Sequence, residues 1–404
     1  MRILFVVKSK TIETLGPQYL AAVVKKAGHE CHIVDLPNAY GFALEWKPNL
    51  VGYSIMTGDQ QKFIALNKQI KAEIHCASIF GGPHATFFPD DFPDDPVALG
   101  ESEQDIADLL KSTAKYVDIN SLPWPDRSDF PDRPIRDFLA SRGCKFRCSY
   151  CYNDRWGGMI DNKKIRTRDP FDVAAEVHHV KPQFAYFQDS CFGLSLKWLN
   201  KFTQVYNRTL FHCHLHPNQI EEERIVLLHN AGCYSLRVAL ESAVPKQRKL
   251  LGRANYNNDD FIKGIHMISK WGIKPMIQNM IGLPTGIIED DLTTLDLNIR
   301  CQPAYAWVSI YTPYPGTKLG DYCKEHGFYD GDYSDIADNF FDKTVLSFSE
   351  EYKEQIICLQ RIFALCVEMQ YLPNAKELAF ENFPKLIHKI MRHMGDKRLY
   401  GGVV

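Results

Sequence analysis

Twice along this 404-residue chain, short apolar runs alternate with amphipathic stretches, and that rhythm restricts the fold more than any other feature. In the first series the apolar runs are residues 3–7, 31–36, 50–55, 76–80 and 97–99. Between them, 17–28 carries Tyr19, Leu20, Val23 and Val24 at helical spacing and closes on Gly28, 61–72 reads as a second helix, and a third begins near Gln104. Continuous apolar strands separated by helices are those of a parallel sheet covered on both faces. The spacing therefore predicts a doubly wound, Rossmann-like domain over residues 1–112, with its ligand crevice at the carboxyl ends of the strands. Residues 113–135 interrupt the rhythm with polar residues and Pro123, Pro125, Pro131 and Pro134, and read as an ordered linker. A second series predicts six strands, at 138–141, 184–189, 211–215, 235–241, 274–283 and 304–311, with helices at 171–179, 194–207, 221–230, 259–271 and 290–301. Parallel strands with right-handed helical crossovers curl into a (β/α)6 partial TIM barrel, here over 136–320, with chemistry at the strands' carboxyl ends. Past residue 320 the strand pattern fades. Helices at 350–371 and 374–394 predict a helical C-terminal region over 321–404 that caps the barrel.

Composition narrows the class of partner. With 47 basic and 49 acidic side chains the formal charge is −2, so no basic surplus argues for nucleic acid. No stretch approaches the roughly 18–20 apolar residues of a membrane-spanning helix, and the run at 3–7 is too short for a signal peptide. The expectation is a cytoplasmic protein with neither membrane nor nucleic-acid partner. A hydrophobic fraction of 45% against 24% charged excludes wholesale disorder.

The twelve cysteines need another explanation than disulfides, because the cytosol keeps thiols reduced. Nine are scattered singly, Cys31, Cys76, Cys191, Cys213, Cys233, Cys301, Cys323, Cys358 and Cys366, and read as small core residues. Cys144, Cys148 and Cys151 fall on one short loop just after the first barrel strand, where three thiolates can converge on one metal centre. A structural zinc site wants four ligands, and His212 and His214 are candidates to complete one. Electron-carrying ferredoxin clusters are also held by four cysteines. A four-iron cluster with three protein thiolates instead keeps one iron open for a small ligand.

The segment Cys144-Lys145-Phe146-Arg147-Cys148-Ser149-Tyr150-Cys151, an aromatic residue preceding its third cysteine and a (β/α) series following, resembles the radical S-adenosylmethionine (SAM) superfamily. The resemblance implies that Cys144, Cys148 and Cys151 hold a [4Fe-4S] cluster whose fourth iron is chelated by SAM, with Tyr150 beside it. It also implies SAM contacts from Gln188 and Asp189 at the second strand end, from Arg237 and Glu241 on the fourth strand, and from Gln278 and Pro284 on the fifth.

The first domain resembles the cobalamin-binding branch of that superfamily. The motifs are Gly16-Pro17-Gln18, Ser54-Ile55-Met56-Thr57-Gly58, Gly81-Gly82-Pro83-His84-Ala85-Thr86 and Gly100-Glu101, then Leu122-Pro123-Trp124-Pro125 and Tyr314-Pro315-Gly316-Thr317. The implied cobalamin contacts are Gly16, Gln18, Ser54, Met56, Thr57, Gly81, Gly82, Pro83, His84, Ala85, Thr86 and Glu101. Small residues at strand ends let a large ring and its nucleotide tail approach the backbone. Many corrinoid proteins carry an Asp-x-His-x-x-Gly loop after the first strand; the corresponding residues 8–16 here hold no histidine, so no histidine of this loop is expected to ligate cobalt. For His84 a contact to the corrin or its tail is expected rather than cobalt ligation.

The resemblance implies a cobalamin-dependent radical SAM methyltransferase. It would move a methyl group from methylcobalamin to an unactivated carbon after the 5'-deoxyadenosyl radical removes hydrogen. The alternative is a cyclase, oxidase or rearrangement enzyme with the same cofactors. A flavodoxin or ferredoxin reductant is implied. A small metabolite, a natural-product intermediate or a peptide side chain fits equally well as substrate.

Overall fold

A computed structural model of the chain describes residues 1–116, 118–159, 165–336 and 339–400; residues 401–404 of the expected C-terminal region lie outside them. The chain divides into two compact units, Met1–Gly143 with Trp156–Tyr186, and Cys144–Arg155 with Phe187–Val404.

In the first unit β1 (Arg2–Val7), β2 (Glu30–Asp35), β3 (Leu50–Ser54) and β4 (Ala77–Gly81) form a parallel sheet in the order β2-β1-β3-β4. The alternation of β1 explains its unbroken apolar sequence. Ile3, Phe5 and Val7 enter a core with Val23, Val24 and Ile33, while Leu4 and Val6 enter a second core with Val51, Tyr53 and Phe63. Each such side chain contributes roughly 1.5–3 kcal/mol when fully buried. The strand expected at 97–99 shrinks to a single bridge between Phe80 and Val97, because its partner β4 ends at Gly81 and turns away at Gly82, φ +87°. The helix Leu36–Trp46 was not expected; of its residues only Ala39 and Ala43 are buried, which leaves little apolar period to read.

Residues 118–135 pack into this unit, which is why contacts do not divide the chain at 112 or 135. Asp126 N donates to Gln18 O at 3.0 Å, Ile33 N donates to Asp129 Oδ2 at 2.8 Å, and Arg127 pairs with Glu176 at 2.9 Å. Next come β5 (Ile135–Phe138), which starts three residues before the expected run, and β6 (Ser141–Arg142), antiparallel to β7 (Arg166–Thr167). β8 (Phe184–Phe187) lies beside β5.

In the second unit β9 (Leu210–Leu215), β10 (Cys233–Glu241), β11 (Lys274–Ile281) and β12 (Tyr305–Ile310) are successive parallel neighbours, with helices Glu222–Ala231, Asn258–Lys270 and Ile288–Cys301 as crossovers. Five of the six strands of the second series form near their expected places, the first lies at Ile135–Phe138 and meets its expected run only at Phe138, and the α/β class is the expected one: a Rossmann-like domain, a parallel (β/α) sheet and a helical C-terminal region. Register places His214, Arg237 and Met276 in one row and Ala239, Gln278 and Trp307 in another.

The helix Glu350–Met369 lays Ile356, Leu359 and Phe363 against Ala306, Val308 and Ile310 of β12. This tail therefore covers the sheet, as expected of a cap. The helix expected from 374 begins only at Phe383, after 3-10 turns at Ala375–Glu377 and Phe380–Asn382. Pro384 explains the delay, since proline suits the first turn of a helix and not its interior.

Candidate functional site: a strand-end crevice and a three-cysteine loop

At the carboxyl ends of β1, β3 and β4 the first unit encloses a cavity of about 370 Å³. Six of the twelve expected cobalamin residues line it: Gly16, Ser54, Gly81, Gly82, Pro83 and Glu101. Gly82 adopts φ +87°, and a Cβ there would stand 2.7 Å from Ile55 N. Only glycine lets the turn after β4 approach the end of β3 so closely. Thr86 holds that turn together, donating from its hydroxyl to Gly82 O at 2.9 Å and accepting from Gly100 N at 3.0 Å.

The other expected residues lie elsewhere. Met56 is half exposed, whereas Gln18 and Ala85 are fully buried. His84 is also fully buried, with Nδ1 3.1 Å from Thr57 Oγ1 and Nε2 2.9 Å from Asp91 Oδ2. Burial lowers its pKa even though Asp91 opposes the shift. Both ring nitrogens of His84 are thus engaged within the protein.

Sequence reasoning missed the cavity's polar floor. Arg142 donates to Glu101 at 2.8 Å and to Glu103 at 2.6 Å, and Arg166 donates to both oxygens of Glu101. Burial alone would raise the Glu101 pKa, but hydrogen bonds from Arg166 and Arg142 hold it below the usual carboxylate range. The Arg142 guanidinium also lies 5.0 Å from the Tyr19 ring centroid.

In the second unit the cysteine loop is clamped from below. Ser149 N donates to Leu251 O at 3.1 Å and its hydroxyl to Leu250 O at 2.7 Å, while Leu319 N donates to Ser149 O at 2.9 Å. Phe146 stacks on His216 with ring centroids 3.6 Å apart. Burial raises the Cys148 pKa and pushes Cys151 up to about 11, where the nearby Cys148 and Cys144 add to the shift. Cys144 is drawn down to about 7 by a hydrogen bond with Cys191, which is raised in turn.

Cys191, read from the sequence as a small core residue, is buried, and its thiol also reaches the loop cysteine Cys144. Among the described residues no three His, Cys, Asp or Glu side chains are already gathered as a metal site, including one completed by His212 and His214. His212 instead meets Ser235, and His214 accepts from Arg237 at 3.3 Å. The chemistry of the loop suits an iron–sulfur cluster: three mutually influencing thiols, with a guanidinium donating to one of them.

Tyr150 links the loop to the sheet. Its hydroxyl donates to Glu241 Oε1 at 2.7 Å and accepts from Arg253 Nη1 at 2.9 Å. Glu241 is buried at φ +65°, where β10 shifts register against β11, a conformation unusual for a non-glycine residue and one that tends to mark a constrained site. Tyr150, Glu241 and Gln278 line a second cavity, of about 200 Å³, with Trp307, Ser309, Tyr311 and Tyr314. Of the expected SAM residues, these three are brought together and the remaining four are not. Asp189 and Pro284 are buried, Gln188 is half-buried, and Arg237 sits against His214. Trp307 and Tyr311 carried no signal in the sequence beyond their strand, and Arg253 carried none at all.

Two family models match the chain in succession. Residues 1–110 match the B12 binding domain family and residues 138–297 the radical SAM superfamily. An uncharacterised methyltransferase of Pyrococcus horikoshii is 22% identical over 76% of this chain and 78% of its own. The hopanoid C-3 methylase of Methylococcus capsulatus is 27% identical, over 35% of this chain and 36% of its own. Among solved structures, the radical SAM methyltransferase TsrM of Kitasatospora setae, determined with cobalamin and a [4Fe-4S] cluster, shares the fold with a TM-score of 0.67 at 15% identity, covering 80% of this chain and 75% of that one. The cobalamin-dependent radical enzyme OxsB aligns with a TM-score of 0.58 at 15% identity, over 82% of this chain and 56% of its own. No helix among the described residues is long and apolar enough to cross a membrane. A B12-binding domain followed by a radical SAM domain, with methyltransferases among its relatives, places this chain in the cobalamin-dependent radical S-adenosylmethionine enzyme family, whose cofactors are a [4Fe-4S] cluster, SAM and cobalamin.

Proposed function

We propose that this protein methylates an unactivated carbon of its substrate. The observation that carries the reading is that Tyr150, on the cysteine loop itself, shares one cavity with Glu241 and Gln278 at the carboxyl ends of parallel strands. When bound, the cluster with SAM supplies a 5'-deoxyadenosyl radical that removes a substrate hydrogen, and cobalamin supplies the methyl group.

The chain's own residues position these groups and exclude water. Cys144, Cys148 and Cys151 are the proposed cluster ligands. Glu241 and Gln278 offer polar atoms for SAM's amino acid or ribose portion, and Trp307 and Tyr311 shield the cavity from water. In the first unit Gly81 and Gly82 admit the cobalamin tail to the backbone, and Ser54 offers a hydroxyl. Glu101, fixed by two arginines, presents a stable acceptor at the cavity floor. Reduced cluster and cobalamin must be regenerated, so a flavodoxin or ferredoxin is the proposed partner.

The test is anaerobic reconstitution followed by product analysis with candidate substrates. Methyl transfer requires 5'-deoxyadenosine and S-adenosylhomocysteine together, whereas deoxyadenosine alone would refute methylation in favour of cyclisation, oxidation or rearrangement. Cys144→Ala should abolish SAM cleavage and leave cobalamin binding intact; persistent cleavage would sink the cluster assignment.

A further inference from the structure

We propose that Arg253 is a positioning residue for the iron–sulfur cluster: it donates to the Cys148 thiolate and raises the cluster's reduction potential. This rests on the assignment of Cys144, Cys148 and Cys151 as cluster ligands. Arg253 follows Gly252 in the connection between helices Pro245–Leu250 and Asn258–Lys270, and only 4% of it is exposed. Nη1 lies 3.4 Å from Cys148 Sγ and 2.9 Å from the Tyr150 hydroxyl, and Nη2 donates to Ala239 O at 2.6 Å. The Nε–H is buried with no hydrogen-bond partner among the described residues.

The charge balance around this guanidinium is incomplete. Its carboxylate neighbour, Glu241, is 3.9 Å away and already receives the Tyr150 hydroxyl at 2.7 Å. Burying a cation is costly unless opposite charge and hydrogen bonds compensate it, and buried N–H groups are seldom left unpaired. A thiolate-ligated cluster on the adjoining loop supplies both the missing negative charge and sulfur acceptors.

The backbone is arranged to keep the guanidinium there. Gly252 has φ +70°, and a Cβ at this position would stand 2.9 Å from Arg147 O, so the Arg253 segment and the cysteine loop touch backbone to backbone. The same segment accepts both Ser149 hydrogen bonds through Leu250 and Leu251. Arg253 and Cys148 are thus fixed relative to one another.

One-electron reduction adds a negative charge to the cluster, so a cationic N–H donor at a ligating sulfur favours the reduced form. Hydrogen bonds to the sulfurs are among the determinants of cluster potential. Lysine would keep the charge and lose the fork that reaches Cys148, Tyr150 and Ala239 at once.

The experiment compares wild type, Arg253→Gln and Arg253→Lys, each reconstituted anaerobically with iron and sulfide. Iron and sulfide content is measured first, and the cluster midpoint potential is then read by electron paramagnetic resonance during redox titration without SAM or substrate. The expected result is a more negative midpoint in Arg253→Gln at full iron content, with Arg253→Lys between it and wild type. Equal midpoints in all three proteins overturn the proposal. If Arg253→Gln does not retain iron, Arg253→Lys decides: a negative shift supports the role and an unchanged midpoint overturns it. If neither variant holds iron, unchanged thermal melting of the apo-proteins supports a role toward the cluster, and lowered melting overturns it in favour of a purely structural role. A wild-type protein that forms no cluster overturns the site assignment as well, which separates that failure from this one.

Discussion

Substituting Gly82 by alanine should weaken cobalamin binding by roughly two orders of magnitude, and the size of the effect follows from three distances. At φ +87° an alanine Cβ would lie 2.7 Å from Ile55 N, 2.9 Å from Ile55 O and 3.3 Å from Ser54 C. All three atoms are backbone, so no side-chain rotation relieves the contact. Ile55 N donates to Gly81 O at 3.0 Å, and Ile55 O accepts from His84 N at 3.0 Å. Relief must therefore spread the ends of β3 and β4 and weaken both bonds, at about 1 kcal/mol each. A side chain in the left-handed region adds about 1–2 kcal/mol. Together these come to roughly 3–4 kcal/mol, and restoring the closed crevice on binding would recover the strain that opening relieved. At 1.4 kcal/mol per tenfold, this corresponds to about a 100-fold or greater loss of affinity. Equilibrium dialysis with hydroxocobalamin measures it, with thermal melting alongside. Gly28→Ala is the control, because Gly28 has φ +81° but nothing within 4 Å of its Cβ position, so it carries the backbone strain without the clash. Gly82→Ala binding within threefold of wild type, or equal losses in the two variants, would refute the close-approach argument.

Removing Arg142 should strand Glu103 in the cavity floor and cost about 3–5 kcal/mol, the usual penalty for breaking a buried pair from one side. Arg142→Met should lower both melting temperature and cobalamin affinity, and adding Glu103→Gln should restore part of each; no restoration would deny the pairing. Bound cob(II)alamin should show no nitrogen splitting from a protein lower ligand, because both His84 nitrogens are engaged by Thr57 and Asp91. His84→Ala should give the same spectrum at reduced affinity, whereas a splitting lost on substitution would make His84 the ligand. Asp291 accepts from Gly282 N and the Tyr352 hydroxyl, and burial pushes its pKa up to about 7 from 3.8. Between those two values the unfolded chain has released the proton that the folded chain retains, so stability falls as pH rises through the window, by up to about 1.4 kcal/mol per pH unit. Asp291→Asn should flatten the melting temperature between pH 5 and 7; an unchanged slope would show that Asp291 is ionised in the fold.

What could be read from the chain depended on how far apart in sequence the interacting groups lie. β1 was legible because both of its faces are buried, which leaves an uninterrupted apolar run. The cysteine loop was legible because all three thiols lie within eight residues. Cys191 meets Cys144 from 47 residues away and Arg253 meets Cys148 from 105 residues away. Neither pairing has a local period or spacing that could announce it. The helix Leu36–Trp46 escaped because two alanines make too weak a stripe, and Pro384 delayed a helix whose expected range began before it.

The two cavities show the same distinction in their chemistry. Gly16, Ser54, Gly81 and Gly82 were identified because small residues at strand ends have a direct backbone purpose. Arg142 was not, because an arginine beside a strand reads as surface until its carboxylate partners are known. In the second unit Tyr150, Glu241 and Gln278 were anticipated and Tyr314 stood in a recognised motif without a role, but Trp307 and Tyr311 carried no signal beyond their strand. Substituting Trp307 or Tyr311, which line that cavity from β12 and the residue after it, should therefore change the affinity for SAM measured by equilibrium dialysis while iron content stays at the wild-type level; an unchanged affinity would deny that this cavity holds SAM.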